Sequence, residues 1–528
     1  MEELDFPELP EMRCPLFERW ANLKESTGIR VIFVSAYLDN PASSFGHILI
    51  QFNTSNRYFG HTLLSPTLNF GAITNPDDGP IEYALRGLFG GYEGGFSDER
   101  FYSFSHVYGE NEQRDLWSYP LQLTKAERER VIFHTWELLQ NVRFTYYFFL
   151  DNCAYRMAEL IETAWTDGRR LNTPWAIWAI PIHVMHKLKQ MPSAEDPILG
   201  KPELIPSRQR RLRESVDRLD ETEKEWLRRL TERETSLEDP EFEVMDPESR
   251  ARILDAWIDY LQFEHEGKFE GETAELRGEI LGMRSTLPIL EQPESSKDPP
   301  DPTQGSAPMR FRLGLAKNPE LPEGKKESRP DLELGFWGSY HDLLGEESGH
   351  LPNREIVTFD LRLRLREETF ALTDFKILSI QNLAGNPSGI PGDHEFSWRF
   401  EAGVERSSLA CLGCRQFQIS TGMGLSASPG RNQTFYGFLG FFGQAQRAVW
   451  QETSWGFAPH LGLLWKPQDI WKIKMDGGRY QSFAGPKKEY LRTRLYQRWT
   501  MAQNWDLRLE FDWRDETSEG ILSVNYYW

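Results

Sequence analysis

The C-terminal part of the chain carries a strict alternation of apolar and polar side chains, and this pattern restricts the fold more than any other feature. It is clearest over Trp505–Arg514, where apolar residues alternate with charged ones, and it recurs over Val357–Arg366 and Leu522–Trp528. A period of two places successive side chains on opposite faces of a β-strand. Each segment therefore predicts a strand with one apolar face and one polar or charged face.

About twelve turn-bounded segments of this kind lie between residues 308 and 528. Most are about 10 residues long, which suits tilted strands that cross a bilayer, and single-chain bacterial barrels have even strand numbers. The chain ends on an aromatic residue, Trp528. This ending resembles the C-terminal signal that the assembly machinery of outer-membrane barrels reads. We expect an antiparallel transmembrane β-barrel of about 12 strands; the alternative is a soluble β-domain whose apolar face packs on a second sheet.

Composition excludes one class of partner and supports the barrel. The net charge is −20 and the sequence pI is about 5.2, which argues against a nucleic-acid-binding surface. Aromatic residues make up 13% of the chain, with 18 Trp and 18 Tyr, as in proteins with two aromatic membrane belts. No apolar run reaches the roughly 20 residues of a spanning helix. Residues Met1–Asp5 are acidic and lack an apolar signal segment, so for an exported protein we expect a mature chain.

Four further regions precede the barrel at 308–528. Residues 291–307 are rich in Pro and Ser and predict a linker. Residues 201–290 are charged and helix-periodic, and we expect two or three helices there. Residues 31–200 mix short strands with helices and predict an α+β domain, preceded by a helical lead-in over residues 1–30.

The cysteines are few, at positions 14, 153, 411 and 414. Cys411 and Cys414 form a C-x-x-C pair without a second pair or nearby His, which argues against a zinc site. A small disulfide loop is the favoured interpretation, and a redox-active pair is the weaker alternative. Cys14 has no obvious partner. No metal ion or cofactor is predicted from these residues.

A candidate site centres on Tyr146–Arg156, where an aromatic run ends in Asp-Asn and a single Cys153 opens a helix-like segment. The positive end of a helix macrodipole favours the thiolate, which is the nucleophilic form. The best candidate for a base is His47, far upstream at the start of a predicted strand. The competing interpretation is a buried structural thiol, with His47 satisfied in a sheet.

The segment Gly87–Phe96 is rich in glycine, but no strand-to-helix frame surrounds it, so a nucleotide phosphate loop is disfavoured. We expect a mobile or closely packed loop over the site, or a simple surface loop.

Several motifs in a fixed order resemble one known family of bacterial envelope proteins. They are Ser44–His47, Leu68–Ala72, Tyr92–Phe96, Arg114–Trp117 and Tyr147–Arg156. The family is named for the N-terminal periplasmic domain of the Lnb lipoprotein N-acyltransferase, and the resemblance covers roughly residues 30–185. Many members look like proteins in which this domain precedes an outer-membrane barrel. The resemblance implies the outer membrane of a Gram-negative bacterium, with the N-terminal domain in the periplasm.

The order of His47 and Cys153 is also similar to circularly permuted, papain-like folds of the NlpC type, such as the lecithin:retinol acyltransferase family. This second resemblance implies that Cys153 attacks an ester or amide carbonyl and that His47 takes and returns the proton. Asn69 is the preferred residue to orient the imidazole, and His61 is the alternative.

The same resemblance implies further roles around the cysteine. The backbone N–H groups of Cys153 and Ala154 would stabilise an oxyanion. Asp151 and Asn152 either cap the helix, or Asn152 serves the oxyanion instead. Arg156 either binds an anionic head group or pairs with a local carboxylate. The expected substrate-binding residues are Tyr92, Glu93, Tyr155 and Arg156.

Two functions remain open from the sequence. The first is an outer-membrane-anchored thiol acyltransferase or hydrolase that acts on a lipid, lipoprotein or cell-wall acyl or amide bond. The second is a non-catalytic outer-membrane channel or assembly protein with a partner-binding periplasmic domain. It is suggested by the charged face at Arg362, Arg364, Arg366, Arg492 and Arg494. Expected partners are outer-membrane lipid, a lipoprotein or peptidoglycan substrate and the barrel assembly machinery, with no nucleic acid.

Overall fold

The computed structural model describes residues 14–23, 25–37, 44–54, 62–75, 77–140, 142–172, 178–191, 197–290, 299–318, 330–338, 341–350, 352–366, 368–383, 385, 396–430, 432–446, 452–486 and 489–528. The chain divides into two compact units. The first comprises residues up to 205, except for 35–45 and 110–115, and the second comprises those two segments with residues 206–528.

The first unit is built on a seven-stranded sheet. Its strands are β1 (Ser26–Val34), β2 (His47–Thr54), β3 (Pro66–Ile73), β4 (Tyr92–Arg100), β5 (Leu116–Leu121), β6 (Phe144–Tyr146) and β7 (Glu203–Ile205). Their order is β6-β4-β3-β2-β1-β5-β7, and each neighbouring pair is antiparallel. The predicted α+β class is confirmed.

Helices flank this sheet. They are α1 (Pro15–Ala21), α2 (Pro80–Phe89), α3 (Phe101–Ser105), α4 (Lys125–Leu139), α5 (Cys153–Glu162) and α6 (Pro181–Gln190), with a π-helical turn over His106–Asn111 after α3. The helical lead-in expected over residues 1–30 differs from the structure, which has only α1 in the described part of that range. β1 already begins at Ser26, because Ile29 pairs with Phe52 of β2 and is buried.

Five helices form a separate apolar core in the fully described range 197–290, where two or three were expected. They are α7 (Arg208–Asp217), α8 (Glu221–Thr231), α9 (Pro240–Glu243), α10 (Pro247–Glu264) and α11 (Glu272–Ser285). Asp220, Asp239 and Asp246 each cap a helix with the side-chain oxygen, and these caps divide the periodic sequence into shorter pieces. Among the described residues, no helix is long and apolar enough to cross a membrane.

The remaining strands form the barrel of the second unit. They are β8 (Arg310–Lys317), β9 (Asp331–Trp337), β10 (Arg354–Arg366), β11 (Thr369–Asn382), β12 (Ser397–Arg406), β13 (Arg415–Gly430), β14 (Gln433–Gln446), β15 (Glu452–Phe457), β16 (His460–Gln468), β17 (Trp471–Ala484), β18 (Glu489–Ala502), β19 (Trp505–Arg514) and β20 (Thr517–Tyr527).

Antiparallel pairing runs in sequence from β8 to β14 and from β17 to β20. β15 and β16 both lie between β14 and β17, so they form one interrupted strand. β20 pairs with β8 and closes the ring. The described residues therefore form a closed barrel of twelve strands, as the sequence predicted. We call the end where β8 begins and β20 ends the entry end, and the opposite one the far end.

The barrel presents apolar side chains outward and charged side chains inward. Leu439, Leu461 and Leu425 are among the exposed large apolar residues, whereas Arg312 and Arg364 are among the largest fully buried side chains. An apolar outer face around a polar interior is the arrangement of an outer-membrane β-barrel. The predicted disulfide is confirmed between Cys411 and Cys414, in the loop from β12 to β13.

Candidate active site

Two neighbouring strands bring His47 and Asn69 together. His47 is the first residue of β2, directly after Gly46, whose φ of +89° and close approach to the carbonyl oxygen of Val34 disfavour any side chain there. β2 pairs Ile50 with Leu68 of β3, so His47 and Asn69 lie on the same face of the sheet. The imidazole Nε2 lies 2.7 Å from Asn69 Oδ1.

This hydrogen bond determines which nitrogen of His47 is basic. An amide oxygen only accepts hydrogen bonds, so the imidazole must carry its proton on Nε2. The lone pair is then on Nδ1, as a general base requires. Asn69, the preferred orienting residue in the sequence analysis, is therefore a hydrogen-bond partner of His47. His61, the alternative, lies outside the described residues.

Cys153 is the first residue of α5, and α5 packs against both β2 and β3. The thiol is buried, with 3% of the residue exposed, whereas His47 and Asn69 are half-buried. The topology thus places the helix that carries Cys153 against the strands that carry His47 and Asn69. Among the described residues, no group of three or more His, Cys, Asp or Glu side chains is arranged to hold a metal ion.

Asn152 is the cap of this helix. Its Oδ1 accepts hydrogen bonds from the backbone N–H groups of Ala154 at 2.9 Å and Tyr155 at 3.2 Å. Its Nδ2 donates to the carbonyl oxygens of Phe148 at 2.9 Å and Ala179 at 2.7 Å. Both ends of the amide are occupied, so the geometry supports the capping role over the oxyanion role. It also commits the Ala154 N–H, one of the two expected oxyanion donors.

Tyr146 lies beside the cysteine, and the sequence analysis missed it. Burial, and next the Cys153 thiol, raise the pKa of the Tyr146 phenol well above its ordinary value, while a hydrogen bond from the Cys153 backbone acts in the opposite direction. Tyr108 also influences this phenol, and its ring centroid is 5.6 Å from that of His47. Tyr146 therefore lies near Cys153, and Tyr108 lies near both the Tyr146 phenol and the His47 ring. Within the run Tyr146–Phe149, no sequence signal separates Tyr146 from its aromatic neighbours.

The glycine-rich segment before Phe96 is not a loop, contrary to expectation. Gly87 lies in α2, Gly90 ends that helix in the left-handed conformation, Gly91 is the one connecting residue, and Gly94 and Gly95 lie in β4. A Cβ on Gly87 would collide with the ring of Phe148, and one on Gly94 would lie 2.6 Å from Phe70. The glycines therefore leave room for aromatic rings, so the close packing was correctly expected and the loop was not.

Tyr92 is buried in the core of the first unit, which argues against the expected substrate-binding role. The residue is buried and its hydroxyl donates to Asp78 Oδ2 at 2.5 Å. Burial, together with this hydrogen bond, raises the pKa of Tyr92 to about 12. Its neighbour Glu93 is exposed, as alternation along β4 requires.

Arg156 makes local contacts on α5. Its guanidinium lies 2.7 Å from Glu159 and 3.5 Å from Asp151, and its Cζ lies 3.9 Å from the ring centroid of Phe144. These contacts support pairing with local carboxylates over recognition of an anionic head group. Tyr155 is half-buried, and burial raises its pKa first, with Glu159 adding to the effect.

Models of three protein families match successive parts of the chain. Residues 16–189 match the Lnb N-terminal periplasmic domain, residues 205–296 match a domain of unknown function (DUF7842), and residues 299–528 match a domain of unknown function (DUF7840). The resemblance drawn from the motifs is therefore confirmed. No curated protein sequence matches the chain significantly.

Similar solved structures include outer-membrane proteins. The KdgM porin in complex with disordered oligogalacturonate is 8% identical, with a TM-score of 0.25 over 42% of this chain and 99% of that one. The NanC porin is 10% identical, with a TM-score of 0.26 over 42% and 98%. An outer membrane channel from Pseudomonas putida F1 is 8% identical, with a TM-score of 0.25 over 45% and 100%. The closed barrel itself follows from the strand pairing.

Proposed function

We propose that this protein, an Lnb N-terminal periplasmic domain followed by an outer-membrane β-barrel, is a membrane-anchored cysteine acyltransferase or hydrolase. Its substrate would be a lipid, a lipoprotein or a cell-wall component with a reactive acyl or amide bond. The observation that carries the proposal is the 2.7 Å hydrogen bond between His47 and Asn69, on the strands against which the Cys153 helix packs.

The reaction would proceed in two transfers. His47 Nδ1 takes the thiol proton while Cys153 Sγ attacks the carbonyl carbon, and a tetrahedral oxyanion forms. The carbon–oxygen or carbon–nitrogen bond then breaks, and the imidazolium returns its proton to the leaving alcohol or amine. An acceptor amine, alcohol or water attacks the resulting thioester with the reverse proton movements. Asn69 would hold the imidazole in the productive tautomer throughout, as a papain-like arrangement requires.

Oxyanion stabilisation requires a donor that the helix cap does not occupy. The Ala154 N–H is committed to Asn152, and the Cys153 backbone is engaged with Tyr146. We assign the donor role to the Tyr146 hydroxyl, whose oxygen accepts from that backbone and whose proton can be donated to the substrate. A phenol with a raised pKa retains this proton at physiological pH.

The barrel supplies the membrane attachment in this proposal. The first barrel strand, β8, begins at the entry end. The domain that precedes it in the chain is periplasmic by its family name, so the entry end would face the periplasm of a Gram-negative bacterium. Outer-membrane lipid would surround the apolar outer face. The barrel assembly machinery would insert the chain, with Trp528 directly after the last strand.

Thiol alkylation in the full-length protein tests the site. Cys14 is an exposed free thiol, so Cys14→Ser leaves Cys153 as the thiol to follow and serves as the matched background. We expect iodoacetamide to label Cys153 at neutral pH in that background. His47→Gln and Asn69→Ala should slow the labelling, because each removes part of the base that activates sulfur. Equal rates in all three proteins would contradict the assigned base.

A second experiment tests the reaction class. Cells that carry Cys153→Ala are compared with wild type and with Cys14→Ser for lipid, lipoprotein and peptidoglycan composition. We expect one of these profiles to change with Cys153→Ala alone, and the class that changes identifies the substrate. Unchanged profiles, together with an unlabelled Cys153, would refute an enzymatic role.

A further inference from the structure

The barrel interior contains two small cavities in series. One has a volume of about 80 Å³ and the other about 50 Å³. They share part of their lining, so they adjoin one another. The shared residues are Arg362, Lys376, Glu401, Arg494, Tyr496 and Glu510.

The first cavity ends against residues 341–350, which follow β9 at the entry end. Asp342 and Leu344 of this segment line the cavity. Asp342 pairs with Arg508 on the lumen wall, and Lys472 Nζ lies 2.7 Å from the carbonyl oxygen of Gly345 and 2.9 Å from Glu347 Oε1. The segment is therefore bound inside the lumen by charged groups. We call it the entry plug.

An apolar contact and a second chain segment hold the entry plug in place. Leu343 and Leu344 are buried in a cluster with wall residues of β14 and β16. On another side, Gly349 adopts a φ of +73°, and the Cα of Pro302 lies 2.7 Å from where its Cβ would be. Residues 302–305, which lead into β8, therefore pack on the plug.

A different segment closes the second cavity at the far end. It is the loop of residues 407–414, and its Leu409 is 2% exposed and lines the cavity. The carbonyl oxygen of Leu409 accepts hydrogen bonds from Arg406 at 3.1 Å and from Asn318 at 3.2 Å. The Cys411–Cys414 disulfide lies in the same loop. We call this loop the far plug.

Beyond the far plug lies a larger cavity of about 660 Å³. Ser407 and Ser408 of the far plug line it, together with side chains such as Gln416 and Gln444. Arg514 lines both this cavity and the 50 Å³ cavity. The far plug therefore separates an inner polar cavity from a wider polar one.

We propose that the barrel encloses a narrow path for small hydrated ions that two plugs close, residues 341–350 at the entry end and residues 407–414 at the far end. Charged groups of both signs line the path, as in pores that replace part of an ion's hydration shell with fixed polar groups. Because each plug closes a separate cavity, removal of one leaves the other in place. This second function is independent of Cys153.

Planar-bilayer recordings in potassium chloride test the proposal with the full chain. The entry variant replaces residues 341–350 with a Gly-Ser linker. The far variant combines Leu409→Gly with Cys411→Ser and Cys414→Ser. A double variant carries both sets, and Asp469→Asn, at an exposed turn residue, is the matched control. Heat-modifiable mobility on gels verifies that each barrel is folded.

We expect no current steps from wild type, control or either single variant, and discrete steps from the double variant. Conduction by wild type would overturn the proposal, as would a folded double variant that does not conduct. Conduction by one single variant would show that the other segment is not a plug. If the linker variant does not fold, Asp342→Asn, Glu346→Gln and Glu347→Gln replace it, since these changes remove the charge while retaining the shape.

Discussion

The first unit and the barrel use opposite rules for burial. The first unit buries apolar residues such as Ile32, Leu49 and Phe101 in one cluster. The barrel instead buries Arg312, Arg364 and Arg498 and exposes leucines. The difference follows from the surrounding medium, because an outer face in lipid is apolar and the interior is the place left for charge.

The first unit and the barrel also differ in how their polar groups are satisfied. The candidate active site contains the hydrogen-bonded side chains of Asn69 and His47, on the strands against which the Cys153 helix packs. The barrel interior holds charge-assisted clusters, in which Glu519 contacts both Arg364 and Arg406 from strands several positions away around the ring. The imidazole of His47 can take up and release a proton, whereas the ion pairs of Glu519 connect distant strands across the lumen.

The largest expected effect comes from breaking such a cluster. Glu519→Ala would leave Arg364 and Arg406 without a carboxylate that each contacts through both oxygens. Removing one partner of a buried ion pair typically destabilises a protein by about 3–5 kcal/mol. We expect a loss of this size in the free energy of unfolding of the barrel, measured by denaturant titration followed by the shift of the folded band on gels.

Glu516→Ala is the matched control for this experiment, because Glu516 precedes the same strand but is exposed. It should change the unfolding midpoint little. Equal effects of the two substitutions would show that Glu519 contributes no more than an exposed carboxylate.

The sequence predicted the barrel better than the first unit for a physical reason. A membrane strand must alternate along its length, so a pattern such as Trp505–Arg514 carries the fold in the local sequence. The close contact of Gly87 with Phe148, in contrast, joins residues far apart in the chain. Local periodicity contains no information about such contacts.

The candidate site shows the same limit. His47, Asn69 and Cys153 were found through motifs whose residue types match a known chemistry. Tyr146 was missed because its role depends on β6 pairing with β4 and ending beside α5, which no local pattern encodes. The barrel plugs were missed in the same way, since residues 341–350 have the composition of an ordinary loop.

A second prediction concerns pH and the first unit. Burial on α6, and next the nearby Lys187, lower the pKa of His183 to about 3. In the unfolded chain the value returns to about 6.5, so stability is complete above that pH and declines as the pH falls toward 3. At about pH 5 the loss is about 2 kcal/mol, from 1.5 pKa units. Hydrogen exchange of the α6 amides, corrected for intrinsic rates, measures it.

His183→Gln should remove this pH dependence, because glutamine does not titrate. His134→Gln on α4 is the control, since His134 is exposed and should leave the dependence unchanged. Peptides from the barrel provide an internal reference in the same sample. An unaltered slope in His183→Gln would assign the acid sensitivity to another group.

The smallest predicted effect compares two glycines that both lie in helices. Gly87→Ala on α2 would drive a methyl group into the Phe148 ring, and overpacking of this kind costs about 1–3 kcal/mol. Alanine gains about 1 kcal/mol in helix propensity, so the net expectation is a loss of up to about 2 kcal/mol. Gly278→Ala on α11 meets no atom within 4 Å and should stabilise its helix by up to about 1 kcal/mol.

Hydrogen exchange of the α2 and α11 amides in each variant measures both signs within the full chain. Opposite signs would show that position 87 must be glycine to allow the close contact with the Phe148 ring. If Gly87→Ala instead stabilised α2 as Gly278→Ala stabilises α11, the Phe148 ring would have room to move. The aromatic run would then not be fixed by its glycine neighbours, and the position of Tyr146 beside the thiol would have to depend on β6 alone.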